Sequence, residues 1–140
     1  MKTENIKLLM KLTANFSKHE FDSRDGSAMP ADVLARIKVL AHNLQILRNH
    51  VGKSITINSG YRSPSHNKKI GGVANSQHVK GNAADIVVSG MTPKEVYLKI
   101  IDLQNKKILA PGGVGLYDTF VHFDIRGYNA RFNNSTIYKS

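Results

Sequence analysis

The stretch Ser76–Val88, SQHVKGNAADIVV, combines a histidine, a glycine-bearing turn and an aspartate at the start of an apolar run. The run Ala83–Val88 has the length and composition of a buried strand, so Asp85 would enter a sheet directly after the turn. A polar group buried without compensation costs of order 2–7 kcal/mol. Asp85 therefore requires either a basic partner or a metal ion facing it.

A later stretch, FVHFDIR at Phe120–Arg126, is a second predicted strand with polar residues on one face. Successive side chains of a strand point to opposite faces, so every second residue shares a face. One face would hold Val121, Phe123 and Ile125, and the other would hold His122, Asp124 and Arg126. The apolar face fits a protein core, and we expect the polar face to belong to a functional site.

His78, Asp85 and His122 are the candidate metal ligands. Two imidazoles and one carboxylate, with a fourth position open for water, are typical of a catalytic zinc site. The chain has no cysteine, so a metal site here must use histidine and carboxylate. Gly81 and the small residues after it would let His78 and Asp85 converge, and His122 would join them from a neighbouring strand. Taken singly, each of these residues is more often a surface or core-edge residue, so the hypothesis requires all three to meet.

The rest of the sequence predicts an α+β fold, with helices packed on one face of a small, mainly antiparallel sheet. Apolar residues keep helical spacing from Ala31 to His50, and TPKE at 92–95 is a capping box that opens a helix to about Asn105. The other predicted elements are a possible helix at 3–12, strands at Ser54–Asn58 and Gly113–Tyr117, a short helix at Ser65–Ile70, and a loop leading to Ala83.

Length and charge limit the possible classes of protein. The 140 residues suit a single domain over 1–140, with residues 1–30 forming an irregular N-terminal segment packed on it. Twenty Lys and Arg against ten Asp and Glu favour an acidic partner such as an anionic cell-wall polymer. The basic residues are dispersed and no nucleic-acid-binding motif is present, so we expect no nucleic-acid partner. No apolar run reaches the roughly 18–20 residues of a membrane span. We find no signal peptide in the sequence. We expect the protein to be a monomer.

Four segments together resemble the family of zinc D-alanyl-D-alanine carboxypeptidases and L-alanyl-D-glutamate endopeptidases. They are SGYRSPSHNKKIGG, SQHVKGNAADI, GGVGLY and FVHFDIRG, and the likeness runs from about Asn15 to Arg131. Members of this family share the fold of the hedgehog signalling domain and cut peptidoglycan stem peptides, and several are bacteriophage endolysins.

The resemblance implies a role for several residues. It implies that zinc is held by His78, Asp85 and His122. It also implies that Arg62 binds a substrate carboxylate or polarises the scissile carbonyl, and that Ser76 supports the substrate site nearby. Tyr117 would either line the cleft as a substrate-binding residue or only pack.

The general base is the point at which this sequence departs from the family. Better-known members often carry an acidic residue three positions before the last histidine ligand, where this chain has Thr119. Asp124 shares the strand face of His122 and is the first candidate for the base, and Asp118 is the second. Asp124 would alternatively pair with Arg126 or orient a ligand histidine.

The sequence thus predicts a zinc peptidase that cuts peptide bonds in peptidoglycan stem peptides or cross-links. Zinc would activate a water molecule to attack the scissile carbonyl, in either an endopeptidase or a carboxypeptidase. The alternative is a catalytically inactive zinc-containing module that binds the cell wall or a partner. We expect the protein to reach the wall after phage-type release or as part of a virion.

Overall fold

A five-stranded sheet forms the centre of the computed structural model, which describes residues 10–138. The strands lie in the order β1-β2-β4-β3-β5, and every pair is antiparallel except β3 and β5. Their bounds are β1 Ile55–Ser59, β2 Ala83–Val88, β3 Gly113–Leu116, β4 Val121–Asp124 and β5 Ala130–Asn133. The expectation of a mainly antiparallel sheet in an α+β fold is confirmed.

Four helices accompany this sheet, and two of them are long. They are α1 Ala31–Val51, α2 Pro64–Lys69, α3 Gln77–Lys80 and α4 Pro93–Asn105, with one 3₁₀ turn at Lys18–Phe21. The helix α4 begins with the predicted capping box, in which Thr92 and Glu95 each accept a backbone N–H of the other. Side chains at such an N-terminus satisfy N–H groups that have no partner within the helix.

The core lies between α1, α4 and one face of the sheet. Its central members include Leu40 and Leu44 of α1, Ile100 of α4, and Ile86 and Phe123 of the strands, all 0–1% exposed. The register pairs Ala84 with Phe123 and Ile86 with Val121, so these residues share the core face. Asp85 pairs with His122 in the same register, which places both on the opposite face. Strand alternation therefore separates the core from the polar residues, as predicted.

Three elements differ from the sequence-based expectation. The predicted loop before β2 contains the single helical turn α3, and β5 was not predicted. Both are short, and β5 has half-exposed residues whose strand conformation depends on pairing with β3. Most of the helix predicted at 3–12 lies outside the described residues, and Lys11 forms an isolated β-bridge with Ser17 instead of a helical turn.

The N-terminal segment packs on the core where the structure describes it. Phe16 and Phe21 are buried, and their ring centroids lie 6.1 Å apart. Within residues 10–138, no helix is both long enough and apolar enough to cross a membrane.

Asp25 connects this segment to the start of α2. Its carboxylate accepts hydrogen bonds from Ser23 Oγ (2.7 Å), Ser27 N (3.0 Å), Ser27 Oγ (2.8 Å) and Ser63 Oγ (2.8 Å). Ser63 also caps α2, because its Oγ accepts the N–H of His66. The hydrogen bonds from Ser23, Ser27 and Ser63 hold the pKa of Asp25 well below its ordinary value.

We expect this connection to make stability depend on pH. Because the pKa of Asp25 is lowered on folding, its contribution is present above the ordinary pKa of about 4 and is lost as the pH falls further. The Tm of the wild type should therefore fall more steeply from about pH 4 downward than the Tm of Asp25→Asn. Thermal unfolding followed by circular dichroism measures both slopes, with Asp102→Asn on α4 as the control. Equal slopes for the wild type and Asp25→Asn would contradict the assignment.

Candidate metal centre and cleft

Two local structures bring His78 to the sheet. Ser76 caps α3, because its Oγ accepts the N–H of His78 at 3.1 Å. Gly81 ends α3 with a φ of 81°, a left-handed conformation that glycine adopts without strain, and the chain then turns into β2. His78 thereby lies beside Asp85, and the pairing of β2 with β4 supplies His122.

The three candidate ligands converge in space. Asp85 Oδ1 lies 3.2 Å from His78 Nε2 and 3.4 Å from His122 Nδ1. One ligand atom from each of the three residues lies within 4.8 Å of the others. Two atoms bound to a tetrahedral zinc at ordinary bond lengths are about 3.3–3.5 Å apart, close to the two separations from Asp85. Two imidazoles and a carboxylate in this arrangement fit a zinc ion, and they leave one coordination position for water or substrate.

The second nitrogen of each histidine ring has a hydrogen-bond acceptor. His78 Nδ1 lies 2.8 Å from the carbonyl oxygen of Gly60, and His122 Nε2 lies 2.6 Å from Asp124 Oδ2. A carbonyl oxygen can only accept, so His78 carries its proton on Nδ1, and the carboxylate likewise favours the proton on Nε2 of His122. The other two nitrogens, which face Asp85, are then the ones available to a metal ion. Such partners hold metal-binding histidines in the ligating tautomer and orientation.

Asp124 is completely buried and pairs with three groups. Besides His122, its carboxylate accepts hydrogen bonds from the N–H of Gly113 at 2.8 Å and from Arg126 Nε and Nη2 at 2.9 and 2.7 Å. Burial by itself raises the pKa of Asp124, but the hydrogen bonds from His122 and Arg126 outweigh it and lower the pKa. Asp124 is therefore an ionised group that holds His122 and Arg126 in place.

Charge interactions also adjust the ligands. Burial raises the pKa of Asp85, but without a metal the hydrogen bonds from His122 and His78 outweigh burial and lower the pKa to about 2. Burial lowers the pKa of His122, but the hydrogen bonds with Asp124 and Asp85 raise it above its ordinary value. Without a metal, the cluster thus compensates the Asp85 charge with histidines, and a cation would take over that role.

A cleft of about 570 Å³ opens on the three ligands. Arg62 and Ser76 line it, as does the rim loop of residues 71–75, except for Ala74. Its other side is an aromatic wall formed by Tyr117, Phe120, Tyr128 and Phe132. Tyr117 stacks on Phe120 with ring centroids 4.4 Å apart, so it both packs and lines the cleft.

Arg62 lines the cleft on the side of the rim loop. Its Nη1 donates to Asn67 Oδ1 at 2.9 Å, and its buried Nε has no hydrogen-bond partner among the described residues. Burial lowers the pKa of Arg62, and the charge of Asp85 opposes that effect. A partly dehydrated guanidinium with free donors is suited to bind a carboxylate in two-point geometry.

The predicted general bases lie elsewhere. Asp124 faces His122 and Arg126, and Asp118 accepts hydrogen bonds from Thr136 and from the N–H of Ile137. Neither residue lines the cleft, where Asp85 is the only carboxylate among the described residues. The geometry thus favours the other role considered for Asp124, which is to orient a ligand histidine and pair with Arg126.

Sequence reasoning missed Asn67 and, apart from Tyr117, the aromatic wall. Asn67 lies on the short polar helix α2, five residues after Arg62, and its burial depends on the rim loop folding back over it. Phe132 belongs to β5, which was not predicted, and its ring centroid lies 5.5 Å from that of His122. The only available signal was an aromatic residue in an otherwise polar C-terminal stretch.

Comparisons with known proteins agree with this geometry. A family model described as peptidase M15 matches residues 11–124. The zinc D-Ala-D-Ala carboxypeptidase of Streptomyces albus G is 31% identical over 120 residues, which are 85% of this chain and 46% of that protein. This chain thus spans about half the length of the curated relative that it matches. The resemblance read from the four sequence segments is confirmed, and the chain belongs to the peptidase M15 family.

Proposed function

We propose that this chain is a zinc metallopeptidase of the D-Ala-D-Ala type that hydrolyses peptide bonds in peptidoglycan stem peptides. One observation carries the proposal: the ligand atoms of His78, Asp85 and His122 converge at the base of a cleft that also contains Arg62. Membership in the peptidase M15 family and the carboxypeptidase from Streptomyces albus G support it.

The chain would hold zinc through His78 Nε2, Asp85 Oδ1 and His122 Nδ1. When bound, zinc supplies Lewis-acid activation of a water molecule and of the scissile carbonyl. The carbonyl of Gly60 and the carboxylate of Asp124 keep the protons of the two histidines on the nitrogens that do not ligate. This division keeps both ligand lone pairs available, so metal affinity depends on these two partners as well as on the ligands.

Substrate binding would depend on Arg62 and the aromatic wall. Stem peptides carry carboxylates on D-glutamate and on the terminal D-alanine, and the free donors of Arg62 suit such a group. The aromatic wall would pack against the aliphatic parts of the peptide and exclude water from the reacting groups. Ser76 contributes indirectly, because it caps the helix that carries His78.

Cleavage next to a free terminal carboxylate and cleavage within cross-links are both compatible with an open cleft. An endopeptidase of phage origin is thus one form of the proposal, and a carboxypeptidase is the other. The expected route to the wall, by phage-type release or within a virion, stays a prediction, as does the monomeric state.

The second candidate is a zinc-binding module without turnover. It is favoured by one observation, which is that no carboxylate besides Asp85 lines the cleft among the described residues. A peptidase needs a group that accepts the proton of water and delivers it to the leaving amine. Neither Asp118 nor Asp124 lines the cleft, so neither is placed for that step.

Digestion of defined muropeptides separates the two candidates. We expect zinc-loaded protein to release D-alanine or to split the stem peptide, because the ligands and Arg62 face one cleft. A chelator should abolish the products and added Zn²⁺ should restore them, as followed by mass spectrometry. One zinc per chain with no product would favour the binding module. Full activity in the presence of the chelator would overturn the metal site itself.

A further inference from the structure

Asn67 of α2 is buried directly behind Arg62 and is held by several hydrogen bonds. Its Oδ1 accepts from Arg62 Nη1 at 2.9 Å, and its Nδ2 donates to the carbonyl of Val73 at 2.8 Å. Its backbone carbonyl accepts the N–H of Gly72, also at 2.8 Å. With 3% of its surface exposed, Asn67 therefore joins the guanidinium to the rim loop, and it does so without facing the cleft.

The close approach of the rim loop to this pair requires a glycine. A Cβ placed at Gly72 would collide with Oδ1 of Asn67 and would lie 3.0 Å from Nη1 of Arg62. The backbone at residue 72 is thus packed directly against the hydrogen bond between the two side chains. Rotation of the guanidinium away from Asn67 would open this packing, so the position of Arg62 and the position of the rim loop are coupled.

The hydrogen bond to Asn67 uses only part of what Arg62 can donate. The guanidinium has five N–H donors, and Asn67 accepts one of them. The acceptor is a neutral amide, so it fixes the direction of the guanidinium and leaves the positive charge available. An aspartate at the same place would form an ion pair with Arg62 and compete with any anionic ligand.

We propose that Asn67 is a positioning residue that fixes Arg62 for the free terminal carboxylate of a peptide, and so makes the cleft select free peptide ends over amidated ones. This inference rests on the proposed function, because it names the substrate class of the same cleft. Asn67 acts through Arg62. The backbone of Arg62 is itself fixed relative to His78, because the backbone N–H of Arg62 donates to the backbone carbonyl of His78 at 3.1 Å. A carboxylate on Arg62 would thus lie at a set distance from the metal ligands.

The test compares an acetylated peptide that ends in D-Ala-D-Ala with the same peptide carrying a C-terminal amide. Binding of both peptides to metal-free protein is measured by calorimetry, and hydrolysis by zinc-loaded protein is measured separately as kcat and KM. We expect Asn67→Ala to weaken binding of the acid roughly tenfold or more and to leave binding of the amide nearly unchanged. KM for the acid should rise, whereas kcat and zinc content should change little.

Two further variants make the test decisive. Asn67→Asp retains an oxygen beside Arg62 but adds a competing charge, so it should also reduce the preference for the acid. Asn105→Ala on the exposed end of α4 serves as the matched control and should behave as wild type in every measurement. Should Asn67→Ala fail to fold, the acid-to-amide preference of Asn67→Asp decides the question.

The outcomes separate this inference from the proposed function. Equal weakening for acid and amide, or unchanged binding of both, would overturn the role of Asn67 if the variant folds and can take up zinc as the wild type does. No hydrolysis by the wild type, together with a preference for the acid that depends on Asn67, would overturn the peptidase and retain the carboxylate site. A wild type that binds acid and amide equally would overturn the inference even if it hydrolyses both.

Discussion

His78→Ala should lose zinc binding and peptide hydrolysis together while the protein stays folded. His78 supplies one of three protein ligands, and its ring is held by the Gly60 carbonyl with Nε2 facing Asp85. Loss of a metal-binding histidine should reduce zinc affinity by more than the roughly 10–100-fold that follows from loss of a supporting partner. Hydrolysis of a muropeptide should fall to the background rate. Zinc content after dialysis, measured by atomic absorption, and product formation by mass spectrometry check the two losses.

The matched control is His42→Ala, because His42 is an exposed histidine on α1 and lies away from the cleft. It should retain wild-type zinc content and activity. A His78→Ala variant that keeps one zinc per chain would refute the ligand assignment. A variant that loses zinc and keeps full activity would instead refute the metal-dependent mechanism.

Asp124→Ala should have the second large effect, and it should act on both stability and metal affinity. The substitution removes the acceptor for His122 Nε2 and leaves the guanidinium of Arg126 without its carboxylate. Breaking a buried ion pair from one side costs about 3–5 kcal/mol of unfolding free energy. Zinc affinity should fall about 10–100-fold, because His122 is no longer held in its ligating tautomer. Urea unfolding measures the first effect, and a competitive zinc titration measures the second.

Asp102→Ala is the control for a carboxylate that pairs at the surface. Its side chain is 44% exposed and pairs with Lys106 of the next helical turn at 3.1 Å. Such exposed pairs contribute about 0.3–0.5 kcal/mol, and zinc affinity should not change. If Asp124 were the general base, Asp124→Asn would lose activity with zinc affinity intact. That result would contradict the positioning role that the geometry assigns.

Much of the fold is readable in the sequence because the relevant signals are local. Helical spacing in α1, the capping box of α4 and the apolar run of β2 follow from backbone sterics and from which side chains avoid water. The same alternation that places Val121 and Phe123 in the core places His122 on the opposite face. The residue types of a zinc site were therefore visible before any distance was known.

The short elements α3 and β5 could not be predicted in the same way. A single helical turn and a four-residue strand with half-exposed side chains have too few residues to produce a periodic signal. Each depends on a contact with a distant segment, which is β3 in the case of β5. Phe132 of the aromatic wall was consequently not predicted, since it lies on β5.

The sequence by itself determined which residues can ligate a metal, which faces of the strands are apolar, and to which family the pattern belongs. Only the tertiary structure decided that Asp124 supports His122 and that Asn67 supports Arg62. The physical reason is that the role of a carboxylate or an amide depends on the groups that surround it after burial. Asp124 is surrounded by Gly113, Arg126 and His122. Asn67 is surrounded by Arg62 and Val73. No spacing along the chain specifies the distances between these groups.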